Sequence, residues 1–263
     1  FNKKAIKNII NKHFIQNFAG AWIFYTTFPQ IPFISPQFKN IAQFAPPLGL
    51  LIGIIQSLIY TFLKINSWSD YAAVPICLAS GYLITGGLHI DGLMDTFDGI
   101  FAGKKKLLKA MKDSRVGSLG VQSLVFITLI QIACLFQIET QIFFILPICL
   151  FWGRFSNLFF IDRFKYISYK RKSIGHKKSW NGFKNESLIS IIFLLIFLIY
   201  HLINFQSEQI LIKNLFILLI GCFMSYKIPQ ILGNKIGGFN GDACGASVVL
   251  VETIMLFIYA ILL

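Results

Sequence analysis

Ser187-Leu188-Ile189-Ser190-Ile191-Ile192-Phe193-Leu194-Leu195-Ile196-Phe197-Leu198-Ile199-Tyr200-His201-Leu202-Ile203-Asn204-Phe205 contains no Asp, Glu, Lys or Arg. As an α-helix rising about 1.5 Å per residue it is about 28 Å long. That matches the roughly 30 Å hydrocarbon core of a bilayer. Similar apolar runs occupy 43–63, 70–88, 119–138, 141–161, 209–226 and 244–263. Such long unbroken runs exclude an outer-membrane barrel, whose strands are short and alternate. The expected fold is all-α, a multi-pass transmembrane helical bundle of about seven spans. Residues 1–263 read as a single integral membrane domain.

Composition agrees. Of 263 residues, 56% are hydrophobic and 13% charged, and the mean hydropathy is +0.68. Soluble domains run at about 45–50% apolar and about 25% charged. A soluble globule, a disordered chain and a disulfide-stapled module are all excluded. The run from Phe14 to Phe28 is apolar and aromatic but is broken at Pro29 and Pro32. It is expected as a buried or interfacial helix and not as a span. The five cysteines form no CxxC pair and read as small packing residues. The basic start is not followed by a short apolar core with a cleavage site, so no cleavable signal peptide is expected.

The charge is lopsided, with 24 Lys and Arg against 11 Asp and Glu. A basic protein suggests nucleic acid, but here the basic residues lie between apolar runs, so the lipid bilayer is the expected partner. The N-terminus, 89–118, 162–186 and 227–243, with Arg154 counted at the inner end of its span, hold 22 of the 24. Only Lys64 and Lys213 fall on the other side. Because cytoplasmic loops collect Lys and Arg, the N-terminus is expected in the cytoplasm. The site is then expected at the cytoplasmic face of the cell membrane. Nothing in the sequence sets the oligomeric state, and a homo-oligomer is left open.

The chemistry concentrates in the Asp-rich segment 85–120, which places Asp91, Asp95, Asp98 and Asp113 on the cytoplasmic side. The first three stand at i, i+4 and i+7, an arc of about 60° on one helix face. Like charges at this spacing repel, so a cation is expected among them. All-oxygen ligation suits Mg²⁺ or Mn²⁺, and Mg²⁺ typically combines one or two carboxylates with substrate phosphates. Arg115, within Met111-Lys112-Asp113-Ser114-Arg115-Val116-Gly117, offers the planar fork suited to phosphate. The neighbouring lysines read as a loop facing anionic lipid. His89 is a candidate base or phosphate contact, and Arg154 a candidate substrate contact because a cation in a span is costly unless it faces a polar cavity.

A second, glycine-rich segment covers 237–246: Gly237-Gly238-Phe239-Asn240-Gly241-Asp242-Ala243-Cys244-Gly245-Ala246. Backbone N–H groups at such a loop and helix start can hold an anion. Asp242 could instead be an N-cap.

These residues resemble the cobalamin synthase family, the membrane adenosylcobinamide-GDP ribazoletransferases. The match is carried by Thr85–Gly99, by Met111–Gly117 with Gly120, and by Gly237–Ala246, with Pro47-Leu48-Gly49 and Gly53 resembling the family's first-span entry. The stretch Thr27-Phe28-Pro29-Gln30-Ile31-Pro32 matches loosely and lacks an expected Arg. Met94 and Asn240 stand where Ala and Thr are expected.

The resemblance implies transfer from adenosylcobinamide-GDP to α-ribazole, or its 5′-phosphate, with release of GMP and Mg²⁺ as cofactor. It implies that Asp91, Asp95 and Asp98 hold Mg²⁺, that Asp98 or Asp113 takes the hydroxyl proton, and that Arg115 neutralises phosphate. Gly238, Gly241 and Asp242 are then expected to close the substrate site, with Asp242 a further candidate ligand. Two other Asp-rich membrane transferases fit less well. CDP-alcohol phosphotransferases carry DGxxAR, but Leu93-Met94-Asp95 follows Asp91-Gly92 here. Prenyltransferases of the UbiA type carry two Asp-rich motifs, but Asp242 is alone in its segment. A cation-coupled transporter would keep its carboxylates near the bilayer midplane, away from the boundary expected for these.

Overall fold

The computed structural model describes residues 3–138, 141–168, 177, 179–204 and 208–263. It is helical, with no strand among the described residues. The helices are α1 Lys3–Tyr25, α2 Ala45–Ile65, α3 Asp70–Thr85, α4 Leu88–Phe101, α5 Leu107–Ala110, α6 Ser118–Ile138, α7 Ile142–Arg163, α8 Phe183–Asn204, α9 Glu208–Ile236 and α10 Gly241–Leu262. A 3-10 turn, Ile41–Phe44, leads into α2. Among the described residues, six helices are long and apolar enough to cross a membrane, and the bent pair α3–α4 makes up to seven. The multi-pass bundle read from the apolar runs is the observed architecture.

α7 is the central helix. In its apolar stretch 89% of residues are buried inside the protein, against 28% in α6 and in α8. A helix apolar on every side must be surrounded by protein or lipid. α7 is surrounded by α2, α9 and α10, whereas α6 and α8 turn broad apolar faces outward. Close approach depends on small residues, as is usual between membrane helices. A Cβ on Gly53 of α2 would lie 2.4 Å from the Pro147 Cα of α7. One on Gly49 would lie 2.3 Å from the Leu150 carbonyl oxygen.

α1 ends at Tyr25, before the prolines, as expected. Its C-terminal part is buried at Ala19, Ala21 and Tyr25, while Phe14 and Ile15 remain exposed. Beyond it, the Thr27 N–H donates to the Ile84 carbonyl (2.7 Å) and the Thr27 hydroxyl to the Leu83 carbonyl (3.0 Å). Those contacts satisfy the otherwise orphaned last carbonyls of α3.

The span expected over 70–88 differs. α3 stops at Thr85, and α4 departs at 88° to it. Gly86 (φ 61°) and Gly87 (φ 70°) make the corner. Two successive residues in the left-handed region are accessible to glycine at little cost. Asp91, Asp95 and Asp98 therefore stand on a packed helix lying against α6 and α10, with Gly92, Leu93 and Thr96 buried.

Candidate active site

α4 meets the start of α10 through two glycines. A Cβ on Gly92 would lie 2.6 Å from the Asp242 carbonyl oxygen, and one on Gly245 would lie 3.1 Å from the His89 carbonyl oxygen. This backbone contact brings together two segments separated by about 150 residues of sequence. Asp95 is half-buried in the fields of Asp242 and Asp91, which oppose its charge, and of Lys112, which supports it. Among the described residues, neither the Asp91 nor the Asp95 carboxylate accepts a hydrogen bond, and Asp91 is exposed.

Lys112 bridges to this cluster. Its Nζ lies 2.9 Å from Asp242 Oδ2. Burial works against the ammonium charge, but Asp242 and Asp95 outweigh it and raise the Lys112 pKa. Lys112 is the candidate site residue that the sequence reading missed, because a lysine in a basic loop resembles its neighbours. Asp242 is also not the helix cap. The cap of α10 is Asn240, whose Oδ1 accepts the Ala243 N–H (2.9 Å). Its Nδ2 donates to Asp242 Oδ2 (3.2 Å). Asn at this position keeps the capping function of the expected Thr and orients Asp242 as well.

Asp98 and Asp113, the two candidate proton acceptors, are both engaged. Asp98 Oδ2 accepts the Gly117 N–H (2.8 Å) and Oδ1 the Gly120 N–H (2.7 Å), so its carboxylate is turned to the start of α6. Asp113 is held by Arg115, whose Nε (3.0 Å) and Nη2 (2.8 Å) both donate to it. These contacts hold the Asp113 carboxyl far below the usual carboxylate range, which makes it a weak proton acceptor. Arg115 is exposed beside Asp113, with its remaining guanidinium N–H groups available to an anion.

The glycine-rich segment does less for a ligand than its composition suggests. The N–H groups of Gly237 and Gly238 donate to the Gly233 carbonyl, and that of Phe239 to the Lys165 carbonyl. The Ile167 N–H returns to the Phe239 carbonyl (2.8 Å), giving a single parallel bridge between Tyr166 and Phe239. Gly238 is required because a Cβ there would lie 2.6 Å from both the Lys165 carbonyl oxygen and Ile167 Cγ2. It ties α10 to the end of α7 and does not cradle an anion. Gly241 opens α10 and has open space where a Cβ would stand.

Arg154 and His89 are drawn inward. Arg154 is 2% exposed, and its Nη1 donates to Glu252 Oε1 (2.8 Å) and the Leu150 carbonyl (3.0 Å). Both residues line a cavity of about 40 Å³ together with His89, Gln56 and Tyr82. Gln56 Oε1 and Arg154 Nε have no partner among the described residues. Glu252 was legible and passed over: an acid within an apolar run is costly and marks an internal partner. Residues 169–176 and 178 of the expected basic loop lie outside the described residues.

Among the described residues, no three His, Cys, Asp or Glu side chains converge on one metal-sized point. The donor set still fits a hard divalent cation. Asp91, Asp95 and Asp242 supply only carboxylate oxygens, two of the three are unpartnered, and such an ion completes its shell with phosphate and water. A three-ligand protein cage, the arrangement expected from the spacing, is not what the geometry offers.

The family described as cobalamin-5-phosphate synthase matches residues 17–260. An adenosylcobinamide-GDP ribazoletransferase of Prochlorococcus marinus is 44% identical over 95% of this chain and 97% of its own length. Proteins of the same name are 33% identical in Alkaliphilus oremlandii, over 88% of this chain and 92% of theirs, and 32% identical in Clostridium tetani, over 95% and 98%. No solved structure matches.

Proposed function

This chain belongs to the cobalamin-5-phosphate synthase family, and from that premise we propose that it joins adenosylcobinamide-GDP to α-ribazole or α-ribazole 5′-phosphate and releases GMP. It is an enzyme of late cobalamin biosynthesis. Because GMP keeps its own phosphorus, the phosphorus attacked is the one on the cobinamide side of the pyrophosphate. A ribose hydroxyl oxygen forms the new P–O bond, the anhydride P–O bond breaks, and GMP leaves with the bridging oxygen. The hydroxyl proton passes to an acceptor at the acidic face.

The observation that carries this reading is the approach of Asp95 on α4, with Asp91 near it, to Asp242 on α10, beside Lys112. Phosphoryl transfer asks for positioning and charge neutralisation more than covalent chemistry. Mg²⁺, the proposed cofactor, would be held by one or two carboxylates drawn from Asp91, Asp95 and Asp242 and would neutralise pyrophosphate oxygens. Lys112 and Arg115 add fixed positive charge for the phosphates. Asp113 keeps the Arg115 fork oriented. The Gly92–Gly245 contact sets the spacing between the two acidic segments.

The site lies where α6 and α10 begin and α7 ends, the end of the bundle expected to carry 22 of the 24 Lys and Arg. By the positive-inside rule that end faces the cytoplasm, where both substrates are polar solutes.

The test is GMP release by purified protein in lipid vesicles, given adenosylcobinamide-GDP and α-ribazole 5′-phosphate, with and without Mg²⁺. The expected result is metal-dependent GMP in step with a corrinoid product, abolished by chelation and restored by added Mg²⁺. GMP release unaffected by chelation would remove the cation from the proposal. No product from folded protein would overturn the proposed reaction.

A further inference from the structure

We propose that Asp98 is a positioning residue: its carboxylate clamps the start of α6 and thereby fixes the segment carrying Lys112, Asp113 and Arg115 above α4. The inference rests on the functional reading above and assigns Asp98 a task other than holding the cation.

Asp98 differs from the two aspartates that precede it on α4. Asp91 and Asp95 are unpartnered among the described residues, whereas both Asp98 oxygens accept backbone N–H groups, from Gly117 at 2.8 Å and Gly120 at 2.7 Å. Hydrogen bonds to a charged acceptor are roughly twice as strong as neutral ones. They also satisfy donors that the first turn of α6 would otherwise leave orphaned.

The two glycines are the footprint of the carboxylate. A Cβ on Gly117 would lie 2.2 Å from Asp98 Oδ1, and one on Gly120 would lie 2.5 Å from Oδ2. No larger residue fits at either place without pushing the carboxylate away. At the other end of the segment Met111 is 1% exposed. It is seated so tightly that a Cβ on Gly99 would lie 2.3 Å from its Cγ. Residues 112–116 are thus tied down at both ends, by Met111 under α4 and by Gly117 on Asp98. The reach of Lys112 to Asp242 and the place of Arg115 follow from those two anchors.

The variants are Asp98→Asn, Gly117→Ala and Gly120→Ala, with Asp95→Asn for comparison. An Asn offers one acceptor oxygen where the carboxylate offers two. The alanines attack the same contact from its other side, so the contact is still read if Asp98→Asn does not fold. The first readout needs no substrate: Mn²⁺ binding followed by electron paramagnetic resonance. Asp98→Asn and Gly117→Ala are expected to bind no more than about twofold more weakly than the parent, and Asp95→Asn to bind at least about tenfold more weakly. The second is tryptic cleavage after Arg115, read by mass spectrometry, expected to accelerate by about tenfold in the clamp variants and not in Asp95→Asn. The third is steady-state kinetics, in which the clamp variants raise KM for adenosylcobinamide-GDP by about tenfold, the scale of a misplaced binding group. Loss of Mn²⁺ by Asp98→Asn equal to that of Asp95→Asn would make Asp98 a ligand and overturn the proposal. So would parental cleavage rates in all three clamp variants. If the parent protein turns over neither substrate, the reaction falls, while the first two readouts still decide what Asp98 does.

Discussion

Lys112 Nζ stands 2.9 Å from Asp242 Oδ2, joining the segment after α5 to the first turn of α10 across 130 positions of sequence. The ammonium group occupies the acidic cluster to which a divalent cation would also be drawn. Lys112→Met is therefore expected to strengthen apparent Mg²⁺ affinity by about two- to tenfold while raising KM for the pyrophosphate substrate. Stability should change by less than about 1 kcal/mol, because half-exposed ion pairs contribute little. A Mg²⁺ titration of turnover checks this, and an unchanged midpoint would show that the lysine does not compete.

Asp91→Asn and Asp95→Asn keep the size of the side chain and remove its charge. Each is expected to lower kcat by about 10² to 10³, the scale of losing one electrostatic stabiliser, with the protein still inserted in the membrane. Near-parental turnover in either variant would remove that residue from the cation site.

Packing of α4 on α10 gives a graded prediction. The Cβ of Gly92→Ala would meet a backbone oxygen at 2.6 Å, whereas that of Gly245→Ala would meet one at 3.1 Å. Gly92→Ala should cost about 1–3 kcal/mol, the usual range for overpacking, and Gly245→Ala less. Thermal unfolding in detergent ranks them, and the reverse order would contradict the geometry.

Arg154 and Glu252 form a buried pair between α7 and α10. Glu252→Leu strands the guanidinium and is expected to cost about 3–5 kcal/mol, whereas Arg154→Leu with Glu252→Leu should recover much of it. Equal Tm values for the single and double variants would show that the pair is not coupled.

The helical spans were legible because apolar length alone specifies them. The corner after Thr85 was not. Residues 70–88 are apolar enough for one span, and only Gly86-Gly87 marks the break, while glycine is frequent within membrane helices as well. The three aspartates were legible as a face, but helical spacing cannot show that Asp98 has α6 beside it. Asp242 was visible as a lone acid, yet its approach to Asp95 depends on Gly92 and Gly245 touching, a contact without sequence periodicity. Gly238 was legible as a special position, and its role was misread because a tight backbone pairing and an anion cradle favour the same residue.

The pairing of Phe239 with Lys165 and Ile167 bears on how the protein is made. Asp91 and Asp95 leave the ribosome about 150 residues before Asp242 and the helix that carries it. Until α10 enters the bilayer and is tied to the end of α7, one of the cluster's three aspartates is missing and Lys112 has no Asp242 to reach. On the proposed site, turnover is expected only once α10 is seated, so a chain stalled before that step is expected to be silent.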